Sequence, residues 1–397
     1  MAEAPDNTDA KLPAEEAAEA AAAAPAIHVS PSPHVYDTRL TTRRMMIDVL
    51  IGLAPVVVVS LIVFRGYAAL HVALCVGTCL AAELGFTALR RRPITLGDCS
   101  AAVTGLILAL SLPALAPWYV SVIGSLAAVG IGKILFGGLG QNIFNPAMVG
   151  RAFVMLCFAG MMGASGYVVP DEVIDKATKR VLKDSPHLSP EQARKEAIRR
   201  VAWADAVTEP TPMTAAKELA KRRQAEAGGK ARPAATKPRP AEEAKLFELR
   251  RLFLGNTNGS LGETSALACL IGGLFLLIRR TASWQIPAGV LLAVIVIAGL
   301  GQILDPGAPL TTLHHLLGGA LLFGAFFIAT DLVTSPLTPK GKFIFGLGVG
   351  VLVMLIRKLS NYPEGVMFAV LVMNAVVPLI NRWTVPRPVG GLVPQRK

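Results

Sequence analysis

Apolar residues in this chain gather into runs with the length of a hydrocarbon crossing, at about 46–64, 67–89, 100–113, 117–136, 146–165, 262–278, 284–304, 313–330, 343–359 and 363–381. These are ten candidate helices in two groups of five. The run from Ser100 to Pro113 is short for a crossing and is closed by Pro113 and Pro117, so it reads as a re-entrant or tilted half-helix.

Each group holds a glycine-rich passage that runs into a polar, helix-breaking segment. In the first it extends from Leu135 through Gly137, Gly138 and Gly140 to Asn142, Asn145, Pro146 and Arg151; in the second, from Leu322 and Gly324 to Thr330, Asp331, Thr334 and Pro336. Matching Gly/Pro breaks in two five-helix halves point to an internal repeat, and an odd number of crossings turns the second copy over. The expected fold is an all-α polytopic membrane protein: about ten transmembrane helices in two inverted five-helix repeats with broken helices. Its parts are a disordered acidic, Ala-rich tail (1–38), a first transmembrane half (39–165), a long external loop (166–261), a second half (262–382) and a basic tail (383–397).

Composition agrees, with 53% hydrophobic and 17% charged residues and a mean hydropathy of +0.52, too apolar for a soluble enzyme of 397 residues. Residues 1–26 carry six acids and one lysine without an apolar core, so no cleavable signal peptide is visible. With the N-terminus inside, 15 Lys and Arg residues, among them Arg43, Arg90, Lys133 and Arg279, fall near cytoplasmic loops, against Arg65, Arg357 and Lys358 outside. That asymmetry predicts cytoplasmic N- and C-termini and an external 166–261 loop, whose own cations count little because of its length. The net charge of +12 is then topology and loop, not a nucleic-acid surface.

The five cysteines, Cys75, Cys79, Cys99, Cys157 and Cys269, fall in or beside spans. Cys75 and Cys79 share a helix face, but no second pair completes a four-thiolate set, so they read as packing residues. His314 and His315 are adjacent, point about 100° apart on a helix and make a poor metal pair; an interfacial place suits them, and no metal site is expected. Gly346 and Gly350 have the small-xxx-small spacing of helix packing. A dinucleotide-binding glycine loop after a strand is absent, so no nucleotide site is expected on this chain.

Four marks, in this order and among these spans, carry a resemblance: Ser-Pro-His at Ser32 to His34, Gly-Gln-Asn-Ile-Phe-Asn-Pro-Ala at Gly140 to Ala147, Gly-Ser-Leu-Gly-Glu-Thr-Ser-Ala-Leu at Gly259 to Leu267, and Tyr-Pro-Glu-Gly at Tyr362 to Gly365. Over roughly 30 to 385 the chain resembles the family of the D subunits of Rnf electron-transport complexes (RnfD) and the B subunits of sodium-translocating NADH:quinone reductases (NqrB). Ser-Pro-His, Thr334-Ser335-Pro336 and Leu371 to Ala375 favour the D branch.

The resemblance implies a membrane subunit of an ion-translocating ferredoxin:NAD oxidoreductase in a bacterial cytoplasmic (inner) membrane. Implied partners are a flavin-bearing G-like subunit, iron–sulfur B- and C-like subunits, membrane A- and E-like subunits, the lipid bilayer and a flavin transferase. It also implies covalent FMN, joined by a phosphoester to the last Thr of a Ser/Thr-x-Ala-Thr type motif, with room for a second, non-covalent flavin (riboflavin). Here the motif falls on Thr208-Glu209-Pro210-Thr211, which makes Thr211 the acceptor, with Asp205, Thr208 and Pro212 around it. Thr211-Pro212 reads as a cap followed by proline at the first helical position, where a phosphate meets a helix's positive end. Glu209-Pro210 departs from the family's small residues by adding a carboxylate and a stiff ring.

Among the remaining candidates, Asn142 and Asn145 precede a helix starting at Pro146. Their amides suit the uracil-like edge of a flavin, and equally suit backbone groups freed by the break. Arg151, Glu83, Glu263 and Asp331 are charges at membrane depth, expensive enough to mark an ion path or a buried partner, whereas Asp98 and Glu364 read as span-end residues. Three alternatives stand beside the D-type redox subunit: the quinone-reductase B subunit, a non-redox inverted-repeat transporter, and a scaffold whose flavin site has degenerated.

Overall fold

The computed structural model describes residues 41–91, 95–162, 171–202, 249–255, 259–304, 310–360 and 365–385. Helices α1 (Thr42–Phe64), α2 (Gly66–Leu89), α3 (Ser100–Ser111), α4 (Trp118–Val129) and α5 (Pro146–Cys157) occupy the first group of apolar runs. Between the groups lie α6 (Asp171–Asp184), α7 (Pro190–Ala202) and α8 (Leu249–Leu254); the second group forms α9 (Ala266–Ile278), α10 (Gln285–Leu304), α11 (Thr312–Leu317), α12 (Pro339–Leu359) and α13 (Val366–Thr384). Among the described residues the only β-like pairing is an isolated antiparallel bridge between Pro113 and Ser260.

Helices α1, α2, α10 and α13 are 19 to 24 residues long and apolar enough to cross a membrane. At about 1.5 Å per residue such helices match a hydrocarbon core of about 30 Å. Their outward side chains are apolar too, as with Ile51, Val58 and Ile62 on α1 and Ile295, Val296 and Leu300 on α10. An exterior of that kind is stable against lipid, where helices associate by close contact instead of by escape from water. Glycine supplies the contact. A Cβ on Gly272 of α9 would lie 1.9 Å from the Gly52 carbonyl oxygen of α1. On α12, Gly346 and Gly350 press against the Ile286 and Val290 carbonyls of α10, where a Cβ would come within 2.4 and 2.6 Å. The small-xxx-small pair is therefore a packing seam.

Four runs are not continuous helices, and the 146–165 run is one of them: α5 ends at Cys157, Phe158 breaks the helix, and a short turn of helix follows at Ala159–Met162. The α3 helix has 12 residues, about 18 Å at the standard rise, and so stops short of a crossing. Beyond it, Leu261 N–H donates to Leu112 O at 3.0 Å and Gly262 N–H to Leu110 O at 2.6 Å, while the Ser60 hydroxyl donates to the Leu261 carbonyl. Those bonds hold 260–263 in a turn, closed by Glu263 N to Ser260 O at 2.9 Å, and correct the expected start of the 262–278 run: α9 begins only at Ala266, capped by the Ser265 side chain on Ala268 N. The expected 313–330 helix is likewise broken, since α11 ends at Leu317 and a bend through Gly318 and Gly319 precedes Leu321–Phe323.

A shared local architecture marks the two glycine-rich passages. A π turn at Gly130–Ile134 extends α4, closed by Leu135 N to Gly130 O at 2.9 Å; a second at Gly324–Ile328 is closed by Ala329 N to Gly324 O at 2.8 Å. A non-helical stretch follows each. A capped helix with proline at its start follows in turn, Asn145 accepting from Met148 N before Pro146 and Thr338 from Gly341 N before Pro339. The stretch expected as a loop also contains structure: α6 and α7 pack together around Val181, Ala193 and Ala197.

Candidate functional site

The two interrupted passages meet. Asn145 uses its amide oxygen to cap α5 and its amide nitrogen to reach the carbonyl of Ile328, in the second π turn, at 3.4 Å. A π turn leaves carbonyls without the usual partner four residues on, and here a side chain from the other half meets one. On α13 the buried Asn374 amide, oriented to donate to the Thr334 carbonyl at 3.3 Å and accept from Asn145 N at 3.1 Å, joins the same junction. Asn142 stays local, accepting from Gly140 N and donating to Phe144 O. Both asparagines thus satisfy freed backbone groups, and both also line a cavity.

That cavity is open to solvent, and its interior together with the open space at its mouth amounts to about 710 Å³. Its walls come from the start of α1, from α3, from both broken passages and from the α9–α10 connection; Val103, Ile107, Leu276 and Phe327 give an apolar bed, and Thr104, Asn142, Asn145, Thr330 and Asp331 a polar edge. Asp331 accepts from Val333 N at 3.3 Å and from the Thr334 hydroxyl at 3.0 Å, a turn that holds its carboxylate at the wall.

Lys133, in the first π turn, also lines the cavity and is 1% exposed. Its ammonium lies 2.7 Å from Glu83 Oε1 on α2 and 2.5 Å from the Ser100 hydroxyl. Ser100 in turn donates its hydroxyl hydrogen to Asp98 at 2.6 Å, and the Thr95 hydroxyl donates to Glu83 Oε1. Glu83 is fully buried, and its second oxygen, Oε2, has no hydrogen-bond partner. A buried ion pair at membrane depth is costly to break, about 3–5 kcal/mol for loss of one member. Asp98, at the end of the span as expected and half-buried, accepts from Ser100 N at 2.8 Å and from the Ser100 hydroxyl at the start of α3.

The four membrane-depth charges singled out in the sequence divide. Glu83 and Asp331 belong to the neighbourhood of the cavity. Arg151 and Glu263 form a separate, looser buried pair at 3.9 Å, in which Glu263 Oε2 accepts from Ser260 N and Oε1 makes no hydrogen bond. Asp205, Thr208, Thr211 and Pro212 lie outside the described residues, as do Ser32 to His34 and Glu364.

Two charges counted as loop residues prove buried. Lys133 sits inside its span, and Arg357 of α12 donates to the carbonyls of His315 and Gly318, the bend that interrupts the eighth run. Taking one from each side leaves 14 against 2, and the asymmetry stands. His314, expected at an interface, is buried, with Nδ1 on Thr311 at the start of α11. Cys75 and Cys79 are buried against α4, their sulfurs near the carbonyls of Ser121 and Ser125. Among the described residues no three His, Cys, Asp or Glu side chains converge as metal ligands would.

Sequence reading missed the Lys133 partnership and also Asp48, which is buried on α1 and bound by Arg279 at 3.2 Å and Thr281 at 3.0 Å. The signal for Lys133 was present: a lysine within a 117–136 apolar run needs a partner as much as a glutamate within 67–89 does.

The model of the NQR2, RnfD, RnfE family matches residues 28–390. The chain is 36% identical over 365 residues to the D subunit of the ion-translocating oxidoreductase complex of Actinobacillus succinogenes, covering 90% of this chain and 96% of that protein. It is 36% identical to the D subunit of the Na+-translocating ferredoxin:NAD+ oxidoreductase complex of Acetobacterium woodii, over 91% and 95% of the two chains. With the D subunit of the ion-translocating oxidoreductase complex of Stutzerimonas stutzeri it shares 38% identity, over 89% and 93%. A match from near one end of the chain to near the other, spanning every element that walls the cavity, makes this multi-pass membrane protein a member of the NQR2, RnfD, RnfE family.

Proposed function

We propose that the chain is the D-type membrane subunit of an ion-translocating oxidoreductase complex, a redox subunit through which electrons pass between flavins while Na+ or H+ crosses the membrane. The observation that carries this reading is the cavity where the two π-broken passages meet, on a chain whose relatives bear that name over nine-tenths of their length. The names of those relatives favour the D branch over the quinone-reductase B branch. A non-redox transporter accounts for broken helices but not for the redox complexes to which these relatives belong.

The residues present suit a flavin. An isoalloxazine ring needs a flat apolar bed, donors and acceptors along one edge and a nearby positive charge, and the cavity offers Phe327 and Ile107, the Asn142 and Asn145 amides, and Lys133. A non-covalent flavin such as riboflavin would be held there, supplying one- and two-electron transfer. The chain's own contribution is to orient the ring edge, offer the ring an apolar bed and set the local charge through Lys133 and Asp331. A covalent FMN on Thr211 is the second flavin of the reading, supported by the Thr208 to Thr211 pattern.

In the same proposal the helices form ten crossings in two inverted halves of five. Two features support it: the central α1–α9 crossing and the matching packing of α2 with α4 and of α10 with α12. The two π turns fall at different places in the halves, at the end of the fourth run in the first and within the third run of the second, and so do not mark the repeat. The charge asymmetry supports cytoplasmic termini, which put the cavity on the cytoplasmic side and the 166–261 loop outside. Soluble donors then act through iron–sulfur and flavin-bearing partner subunits.

The test is to purify the assembly through a tag on this chain and extract flavin with acid. Co-purifying iron–sulfur subunits, one flavin released by acid and one retained on the polypeptide are expected. A chain that purifies alone, free of both flavins, sinks the reading.

A further inference from the structure

We infer that Lys133 is a mobile countercharge shared between Glu83 and the occupant of the cavity, so that negative charge arriving in the cavity draws the ammonium away and Glu83 takes up one monovalent cation in its place. The inference rests on the reading of the cavity as a redox-cofactor site, and it names how that site couples to an ion.

An ammonium has three N–H donors. Glu83 Oε1 and the Ser100 hydroxyl take two, and Lys133 stands in the cavity wall, so the third serves whatever fills the space. The carboxylate is arranged asymmetrically: Oε1 receives Lys133 and Thr95, while Oε2, fully buried, receives nothing. Other charged or titratable groups on the packed elements are committed elsewhere. Arg90 holds the Ile134 carbonyl, Asp98 holds Ser100, the Cys79 thiol faces Ser125, and Asp331 bonds within its own turn. Among the described residues, then, Lys133 is the one cation within ion-pair distance of Glu83.

The charge balance follows. One electron from the complex's redox donor adds one negative charge to the cavity occupant. The ammonium keeps its three protons, releases its hydrogen bond to Glu83 Oε1 and donates to the occupant instead. Glu83, now an unpaired carboxylate buried in a low-dielectric interior, is strongly disfavoured unless a positive charge replaces the lost one. A proton on Oε2, or a sodium ion held by both carboxylate oxygens and the Thr95 and Ser100 hydroxyls, restores neutrality. Oxidation reverses each step. Mobility has a local source: Lys133 lies in a π turn that also holds Gly130 and Gly132, where the backbone departs from the regular helical ladder.

The experiment uses the purified complex in wild type, Lys133→Gln, Lys133→Arg, Glu83→Gln and the double variant Lys133→Gln/Glu83→Gln. Its readouts are acid-extractable flavin content and the midpoint potential of that flavin, measured against Na+ at fixed pH and against pH without Na+. In the wild type, one cation per electron raises the potential by about 59 mV for each tenfold rise in the coupling cation, and the two series identify that cation. Glu83→Gln and the double variant, which removes both charges and so spares the fold an orphan, should retain flavin and lose this dependence. Lys133→Gln should also lose it and move the potential down, while Lys133→Arg restores most of both. Flavin retained with an unchanged cation dependence in the double variant overturns the inference and leaves the cavity reading intact. Absence of acid-extractable flavin from the wild type overturns both.

Discussion

The amide nitrogen of Asn145 donates to the Ile328 carbonyl at 3.4 Å across 183 positions of chain, while its oxygen caps α5 through Met148 N. One side chain therefore starts a helix in one half and satisfies a carbonyl freed in the other. Removal of the cap costs about 1 kcal/mol, and a buried carbonyl left without a donor adds about 1–3 kcal/mol. Asn145→Ala should accordingly lower the thermal unfolding midpoint of the purified protein by several degrees. Asn145→Asp keeps the capping oxygen but puts a second oxygen against Ile328 O, so it should be no better than alanine. A midpoint for Asn145→Asp equal to wild type would show that the Ile328 contact contributes nothing.

A second outcome concerns the α10–α12 seam. Gly346 and Gly350 approach carbonyls so closely that any Cβ forces the helices apart, and overpacking of this kind costs about 1–3 kcal/mol. Gly346→Ala and Gly350→Ala should each destabilise the protein by about that amount, with the larger change for a leucine. Val351, exposed on the same helix, is the control: Val351→Leu should leave the unfolding midpoint within a degree or so. Equal effects at Gly346 and Val351 would sink the packing argument.

How far the sequence discloses this arrangement depends on the length scale of each signal. A crossing needs about 20 apolar residues, a pattern strong enough that α1, α2 and α10 fall within a few residues of their expected runs. The Asn145-Pro146 helix start was equally legible, because a capping side chain before proline is a local chemical requirement. The π turns were not, since one extra residue per turn leaves the apolar run intact. The Glu83–Lys133 pair was legible only as two charges within apolar runs that each need a partner; its members are 50 positions apart, so the sequence does not show that each is the other's. The α6–α7 hairpin could have been found. Ser189 and Gln192 form a reciprocal capping box around Pro190, each accepting from the other's backbone N–H.

Topology offers a third check. With Lys133 and Arg357 buried, the loop charges still divide 14 to 2 in favour of cytoplasmic termini. A cysteine placed at Gly229, in a variant lacking the exposed Cys157, should react with a membrane-impermeant thiol reagent added outside intact spheroplasts, and one at Arg280 should react only after permeabilisation. The reverse pattern would falsify the orientation and with it the assignment of the cavity to the cytoplasmic side.

The last expected outcome is the covalent flavin. A phosphoester needs an accessible hydroxyl in a setting that tolerates a phosphate, and Thr211 followed by Pro212 supplies a hydroxyl where a helix would start, with unpaired N–H groups to face the anion. Glu209 works against it, since a carboxylate two residues away repels a phosphate, the more weakly the more salt and solvent screen the pair. Thr208 and Thr214 are the internal controls, being nearby hydroxyls at other places in the motif. Co-expressed with a flavin transferase, the wild type should fluoresce as a flavin on a denaturing gel and carry FMN on the Thr211 peptide by mass. Thr211→Ala should lose both signals, whereas Thr208→Ala and Thr214→Ala should keep some of each. Glu209→Ala should raise the labelled fraction if the carboxylate is the hindrance. A wild type without any adduct, in the presence of a transferase active on another substrate, would leave the cavity flavin as the chain's only redox group and remove Thr211 from the electron path.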